Sequence, residues 1–169
     1  MKKILFILLF VGTICYGQQT NNSLLQPNKN RTEVKFNALS VGLGAIDLEF
    51  ERTLNENSSI GVGFVSKFGE IDGYTFFDYD SSISGFYRYF FGKKYASGLF
   101  LEGYGMFHVE RGFRDDLSSD FLMGLGTGYK HVFKNGIVLQ GNFGIGADIT
   151  GNNKGKPRGR GGISIGYRF

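Results

Sequence analysis

The chain has 169 residues and a formal net charge of +4, and 27 of its residues are glycine. The length fits one domain, and 41% hydrophobic residues with 18 Phe and 9 Tyr exclude a disordered chain. Glycine without a period of three, with only 2 Pro, excludes collagen. Glycine spread through apolar segments argues against a helical bundle, because it costs about 1 kcal/mol in a helix interior.

The first residues are typical of a secretory signal peptide. Lys2 and Lys3 precede the apolar run Ile4–Val11. This run is shorter than the roughly 20 residues that a spanning helix needs, which argues against a membrane anchor. We therefore expect a leader that is cleaved after Gly17. Cys15, the sole cysteine, leaves with this leader; Ile14 before it argues against lipidation. The mature chain then lacks disulfide and thiol chemistry, and its charge of +2 does not call for nucleic acid.

Residues 18–32 are polar and predict a flexible tail, followed by a β-barrel domain over residues 33–169. From Glu33 onward apolar and polar residues alternate with a period of two, which indicates strands with two different faces. Eight strands of about ten residues suit tilted strands that cross a bilayer. They begin at Glu33 and continue as Ile46–Leu54, Ile60–Phe68, Ile83–Phe91, Leu99–Glu110, Phe121–Phe133, Ile137–Asp148 and Ile163–Phe169. Alternation fails at Leu39–Leu43, where we expect a bulge or glycine kink.

The predicted connections alternate in length. Three are short: Asn55–Ser58, Gly92–Ser97 and Lys134–Gly136. Three are longer and polar: Gly69–Ser82, Gly112–Asp120 and Ile149–Arg160. Outer-membrane barrels have short periplasmic turns and longer outer loops, and the tight connection at Gly42–Gly44 is the exception.

The distribution of residues between the two faces favours a membrane barrel over a lipocalin-like soluble barrel, which would also alternate. The polar face carries charges and the glycines of Gly124–Gly128. Glycine weakens an exposed strand, but inside a narrow barrel it leaves room for long side chains. The sequence therefore predicts an all-β, eight-stranded antiparallel up-and-down transmembrane β-barrel. We expect a monomer in the bacterial outer membrane, in contact with lipid and lipopolysaccharide.

Two segments carry resemblances to known proteins. Ile165, Tyr167 and Phe169 resemble the C-terminal signal by which the barrel-insertion machinery receives outer-membrane barrels. Val34–Ser40 with Gly44–Arg52 resembles the opening hairpin of uncharacterised small outer-membrane β-barrel proteins, a domain-of-unknown-function family common in Bacteroidota. The whole mature domain is similar in layout to OmpA/OmpX-type eight-stranded barrels. These resemblances imply fold and location, and they imply no reaction.

Twelve charged residues are expected to face inward, where an eight-stranded barrel has just enough room for side chains and unpaired charges are costly. We therefore expect a mutually neutralising network, with an ion path or a catalytic carboxylate pair as the alternative. Its expected centre is Glu49, Glu51, Lys67, Arg88, Glu102, Lys130 and Arg168. The remaining inward charges are Glu33, Lys35, Asp47, Glu110 and Asp148.

The pattern offers little for catalysis or metal binding. His108 is expected to face inward and His131 outward, with no serine placed for a lipid-hydrolysing triad. Two scattered histidines without cysteine make a poor metal site, and Gly124–Gly128 lies within a strand, so it is no nucleotide loop. We expect neither enzyme activity nor a cofactor.

Two loop segments are candidates for contacts with a partner. The first is a run of four basic residues, which could touch lipopolysaccharide phosphates or remain a solvated loop. The second is a loop with four aromatic residues, which suggest adhesion or a covered barrel mouth. These residues are Lys154, Lys156, Arg158 and Arg160, and Tyr74, Phe76, Phe77 and Tyr79. The leading function is a non-enzymatic envelope protein with a structural or loop-mediated role. The alternatives are a narrow pore or transport barrel and, less favoured, a lipid-modifying enzyme.

Overall fold

Eight antiparallel strands close into one barrel. The computed structural model describes residues 32–68, 80–92, 94–111, 117–151 and 154–169. The expected leader, nearly all of the expected tail and the loop aromatics Tyr74, Phe76, Phe77 and Tyr79 lie outside these ranges.

Each strand pairs with its neighbours in chain order, and the last pairs with the first. This confirms the predicted all-β, eight-stranded up-and-down barrel. The strands are β1 (Thr32–Asn37), β2 (Ala45–Thr53), β3 (Ser58–Lys67), β4 (Ser81–Phe90), β5 (Gly98–Arg111), β6 (Leu117–Val132), β7 (Ile137–Asp148) and β8 (Pro157–Arg168).

Closure depends on the pairing of β1 with β8. Val34 lies opposite Tyr167, and Phe36 lies opposite Ile165. Both pairs expose their side chains on the outer surface. Because the sheet closes, it leaves no row of unpaired backbone groups at an edge.

A short helix, α1 (Ala38–Gly42), connects β1 to β2, so the expected bulge or glycine kink at Leu39–Leu43 is wrong. Asn37 begins the helix because its Oδ1 accepts hydrogen bonds from Leu39 N at 3.2 Å and Ser40 N at 3.4 Å. Such a side chain satisfies amide groups that a helix start leaves without partners. The loss of alternation here marks a change of secondary structure.

None of the helical residues described belongs to a helix that is both long enough and apolar enough to cross a membrane.

Two strands begin at least four residues earlier than expected. β8 begins at Pro157 and β6 at Leu117, so each takes in residues that the sequence assigned to a loop. The start of β8 contains Gly159, Gly161 and Gly162. Because these residues have no side chains, they give no alternation signal.

Glycines on the inner face of β6 make room for aromatic rings on β5. A Cβ atom at Gly128 would lie 2.5 Å from the Phe100 ring, and one at Gly124 would lie 2.5 Å from the Tyr104 ring. Carbon atoms normally approach to about 3.5–4.0 Å. Rings from β5 therefore occupy space that side chains on β6 would need.

Candidate functional site in the barrel lumen

The polar side chains of the barrel point inward and are buried. Arg88 and Lys130 are 0% exposed, and Lys35 is 1% exposed. Most large apolar residues point the other way, and Leu125 on β6 is 73% exposed. The barrel therefore has most of its strand charges inside and most of its large apolar side chains outside, while a smaller apolar set that includes Phe86, Phe100 and Leu122 is buried inside.

Nine of the described residues form one connected set of ion pairs, called here the lumen network. Five are cations and four are carboxylates, so their charges nearly cancel. The members are Lys35, Arg88, Lys130, Arg160, Arg168, Glu33, Glu49, Glu51 and Glu102.

Arg88 lies at the centre of this network. Its Nε donates to Glu102 Oε2 at 2.6 Å, its Nη1 to Glu51 Oε2 at 2.5 Å and its Nη2 to Glu49 Oε1 at 2.9 Å. The guanidinium also lies 4.0 Å from the centre of the Phe86 ring. A fixed fork of donors suits several carboxylates at once, so one side chain links β4 to β2 and β5.

Two lysines extend the network to other strands. Lys35 on β1 binds Glu51 and lies 3.1 Å from Glu49 Oε2, and it donates to Gln140 Oε1 at 2.8 Å. Lys130 on β6 binds Glu51 and donates to Glu33 Oε2 at 3.0 Å. Glu51 therefore contacts both lysines and Arg88.

The end of the barrel that carries the short turns is closed. Arg168 Nε donates to Glu33 Oε1 at 2.7 Å, and its Nη2 donates to the Ala96 carbonyl at 2.8 Å. Phe90, Ala96 and Phe100 form a buried apolar cluster beside it. Side chains therefore occupy the lumen at this end.

Toward the opposite end, a small cavity of about 30 Å³ lies beside the lumen network. Asp47, Glu49 and Arg160 contribute charged groups to its lining, and Asn37 and Met106 lie on its wall. Asp47 Oδ2 accepts from Asn37 Nδ2 at 2.8 Å. A cavity needs at least about 10–15 Å³ to hold one water, so this cavity has room for about two waters.

The structure brings six of the seven residues expected at the network centre into one network. Lys67 differs, because it ends β3 opposite Ala45 and is partly exposed. The alternation pattern predicts Glu33 and Lys35 as inward charges but does not place them at the centre. It places Gln140 on the polar face of β7 without assigning it to the network, and it misses Arg160, which lies on an inward position of β8. Counting alternation through the glycines of β8 could have found Arg160.

The expected basic loop divides into two parts. Lys154 and Lys156 are exposed between β7 and β8. Arg158 and Arg160 as loop contacts are wrong, because both belong to β8 and face inward. Arg158 Nε donates to Asp148 Oδ2 at 2.8 Å, and Arg160 Nη2 donates to Glu49 Oε1 at 3.4 Å.

The outward aromatic residues at the end of β8 are exposed, as are their apolar neighbours. Tyr167 and Phe169 contact edge to face with ring centres 5.2 Å apart, and Ile165 lies on the same face. His131 is likewise on the outer face of β6, 4.5 Å from the Phe133 ring. His108 points inward and is fully buried.

Comparison with family models, with curated proteins and with solved structures returned no match for this chain. The resemblance to small outer-membrane barrels therefore remains a prediction.

Proposed function

We propose that this chain is a non-enzymatic barrel of the bacterial outer membrane that supports the cell envelope, with its outer loops available to a partner. One observation carries the proposal: most large apolar side chains lie outside and most charged ones inside, the reverse of a water-soluble barrel. Leu125, Phe143 and Ile145 project outward with more than half of their surface exposed, while Arg88, Glu51 and Lys130 are fully buried.

The inversion fits a lipid solvent. Burying apolar surface is worth about 25 cal/mol per Å², and lipid removes the outer surface from water. Backbone groups in a bilayer must be paired within the protein, and a closed sheet pairs them all. A water-soluble barrel would need the apolar face inward.

The filled lumen supports a structural role over a pore. Arg88 is held by Glu49, Glu51 and Glu102, and Arg168 with the cluster around Phe100 fills the end with short turns. Ions would have to displace these pairs in order to cross. The narrow pore is therefore the second candidate, and conductance measurement distinguishes it.

The first experiment concerns location and closure together. We expect the protein in the outer-membrane fraction and expect its gel band to shift on boiling, because a closed barrel resists SDS until heated. Recovery in the soluble periplasm without a heat shift would contradict the proposal.

The second experiment concerns the role. Purified protein in a planar bilayer is expected to give no steady ion current, and a deletion strain is expected to become sensitive to detergents with its lipid A unchanged. A reproducible current would favour the pore, and an altered lipid A mass spectrum would favour the enzyme.

The exposed basic pair suggests how the outer loops meet their surroundings. Lys154 and Lys156 lie in a connection at the end opposite the short turns, where lipopolysaccharide phosphates would surround an outer-membrane barrel. We expect K154E/K156E to weaken binding to lipopolysaccharide micelles. The loop would be a solvated connection if this variant bound as tightly as the unaltered protein.

A further inference from the structure

Three buried side chains from neighbouring strands meet near the end of the barrel opposite the short turns. They are His108 on β5, Asp120 on β6 and Asp148 on β7, here called the His–Asp–Asp cluster. Each is at most 1% exposed, and one nitrogen or oxygen from each lies within 4.8 Å of those from the other two. They are 12 and 28 positions apart in the chain, and barrel closure brings them together.

The strand register explains why these three side chains lie close together. His108 lies directly opposite Asp120 in the pairing of β5 with β6. Asp148 lies opposite Leu122, two residues beyond Asp120 on the same face of β6. All three side chains therefore project into one corner of the lumen, above the buried Leu122.

The distance between His108 and Asp148 fits binding of both residues to one metal ion better than it fits a hydrogen bond. Asp148 Oδ1 lies 3.6 Å from His108 Nε2, beyond hydrogen-bond range. A metal with bonds of about 2.0–2.2 Å holds neighbouring ligand atoms about 3–4 Å apart. Within the described chain, Asp148 Oδ1 accepts no hydrogen bond, although buried carboxylate oxygens normally have a partner.

Neighbouring groups orient the two carboxylates. Arg158 Nε donates to Asp148 Oδ2 at 2.8 Å and leaves Oδ1 facing His108. Ser118 Oγ donates to Asp120 Oδ2 at 3.5 Å. Hydrogen bonds from neighbouring groups to the side chains that bind a metal are typical of metal sites.

The electrostatics also suit a cation. Arg158 is shared between Asp148 and Glu110, whose Oε2 accepts from Nη2 at 3.0 Å. Among the described residues, this one guanidinium therefore faces two carboxylates. Buried charges are normally paired or coordinate metals.

We propose that the His–Asp–Asp cluster binds a divalent transition-metal ion such as zinc, which would join β5, β6 and β7 near one end of the barrel. An imidazole ligand favours zinc and its neighbours over calcium and magnesium, which prefer oxygen ligands alone. The remaining coordination positions would be taken by water. This site is independent of the proposed envelope role.

The test uses untagged protein purified in detergent, stripped with a chelator and titrated with zinc chloride by calorimetry. We expect saturable binding of one zinc per chain and a rise in the temperature at which the gel band shifts. Calcium and magnesium at the same concentrations are expected to give neither effect. Cobalt(II) should give visible absorption bands that zinc abolishes.

Variants locate the site. H108Q and D120N are each expected to weaken zinc binding at least about tenfold. H131Q, which removes the outward histidine, should bind as the unaltered protein does. D148N is a third variant, and since it also loses the contact with Arg158, the other two suffice if it fails to fold.

Folding of every variant is checked by the boiled and unboiled gel bands. The proposal is overturned if the folded protein shows no saturable zinc binding. It is equally overturned if H108Q and D120N bind normally, if H131Q abolishes binding, or if calcium binds as tightly as zinc.

Discussion

Arg88 and Glu102 face each other across the pairing of β4 with β5, and Arg88 Nε donates to Glu102 Oε2 at 2.6 Å. The other guanidinium nitrogens reach Glu49 and Glu51 on β2 and Gln140 on β7. One buried cation thus links four strands. Because its partners come from opposite walls, Arg88 restrains the barrel across its lumen and not only along one hairpin.

Replacing Arg88 should destabilise the barrel severely. R88M leaves Glu49, Glu51 and Glu102 without their shared cation, and removing one partner of a buried ion pair costs about 3–5 kcal/mol. R88K keeps the charge but loses the fork, so we expect a smaller loss. Urea unfolding in lipid vesicles measures both free energies.

The matched control is R52A, because Arg52 lies on β2, the strand that carries Glu49 and Glu51, and is exposed on the outer face. We expect little change in its free energy of unfolding. If R88M and R52A unfolded at the same urea concentration, the lumen network would contribute nothing specific to stability.

A charge on the outer face should test the lipid environment directly. Leu125 lies midway along β6 and is the most exposed of the large apolar residues that the structure describes. L125R is expected to cost about 2–4 kcal/mol if the residue lies at the bilayer midplane. L54R, beside the short turn after β2, should cost about 0–1 kcal/mol.

The difference in unfolding free energy between L125R and L54R tests whether the outer surface lies in lipid. Unfolding from vesicles is measured for both, with L125A as the control for lost side-chain volume. An arginine tolerated equally at both positions would contradict a membrane-spanning outer surface.

Most of the fold could be predicted from the sequence, because the alternation of apolar and polar residues is a local property of each strand. Leu99–Glu110 and Ile137–Asp148 were placed within two residues of β5 and β7, since apolar and polar side chains mark both faces there. Helix α1 was missed because five residues give no helical period to read, although Asn is a residue type that N-caps favour.

The site was predictable in composition but not in connectivity. That Glu49, Arg88 and Glu102 face inward follows from parity along each strand. Which carboxylate binds which cation depends on register and on contacts across the lumen, which one strand's pattern does not contain. The meeting of His108 with Asp148 needs the register of three strands at once.

The helix cap at Asn37 should contribute measurably to stability. N37A removes the acceptor for the amides of Leu39 and Ser40 and the donor to Asp47. Loss of an N-cap costs about 0.5–2 kcal/mol. N37S keeps a capping oxygen, so its loss in the same unfolding assay should be smaller. Equal losses would mean that the contact with Asp47, and not the cap, carries the effect.

Two glycines on paired strands should respond oppositely to alanine. A Cβ at Gly128 would lie 2.4 Å from the Gly141 carbonyl and 2.5 Å from the Phe100 ring, whereas one at Gly141 would meet nothing within 4 Å. G128A should therefore destabilise by about 1–3 kcal/mol through overpacking. G141A should be neutral or stabilise by up to about 1 kcal/mol, because alanine loses less conformational entropy than glycine on folding. Urea midpoints in vesicles measure both. If G128A were as stable as G141A, the inner face of β6 would have room for side chains, and the lumen would not be filled by the rings of β5.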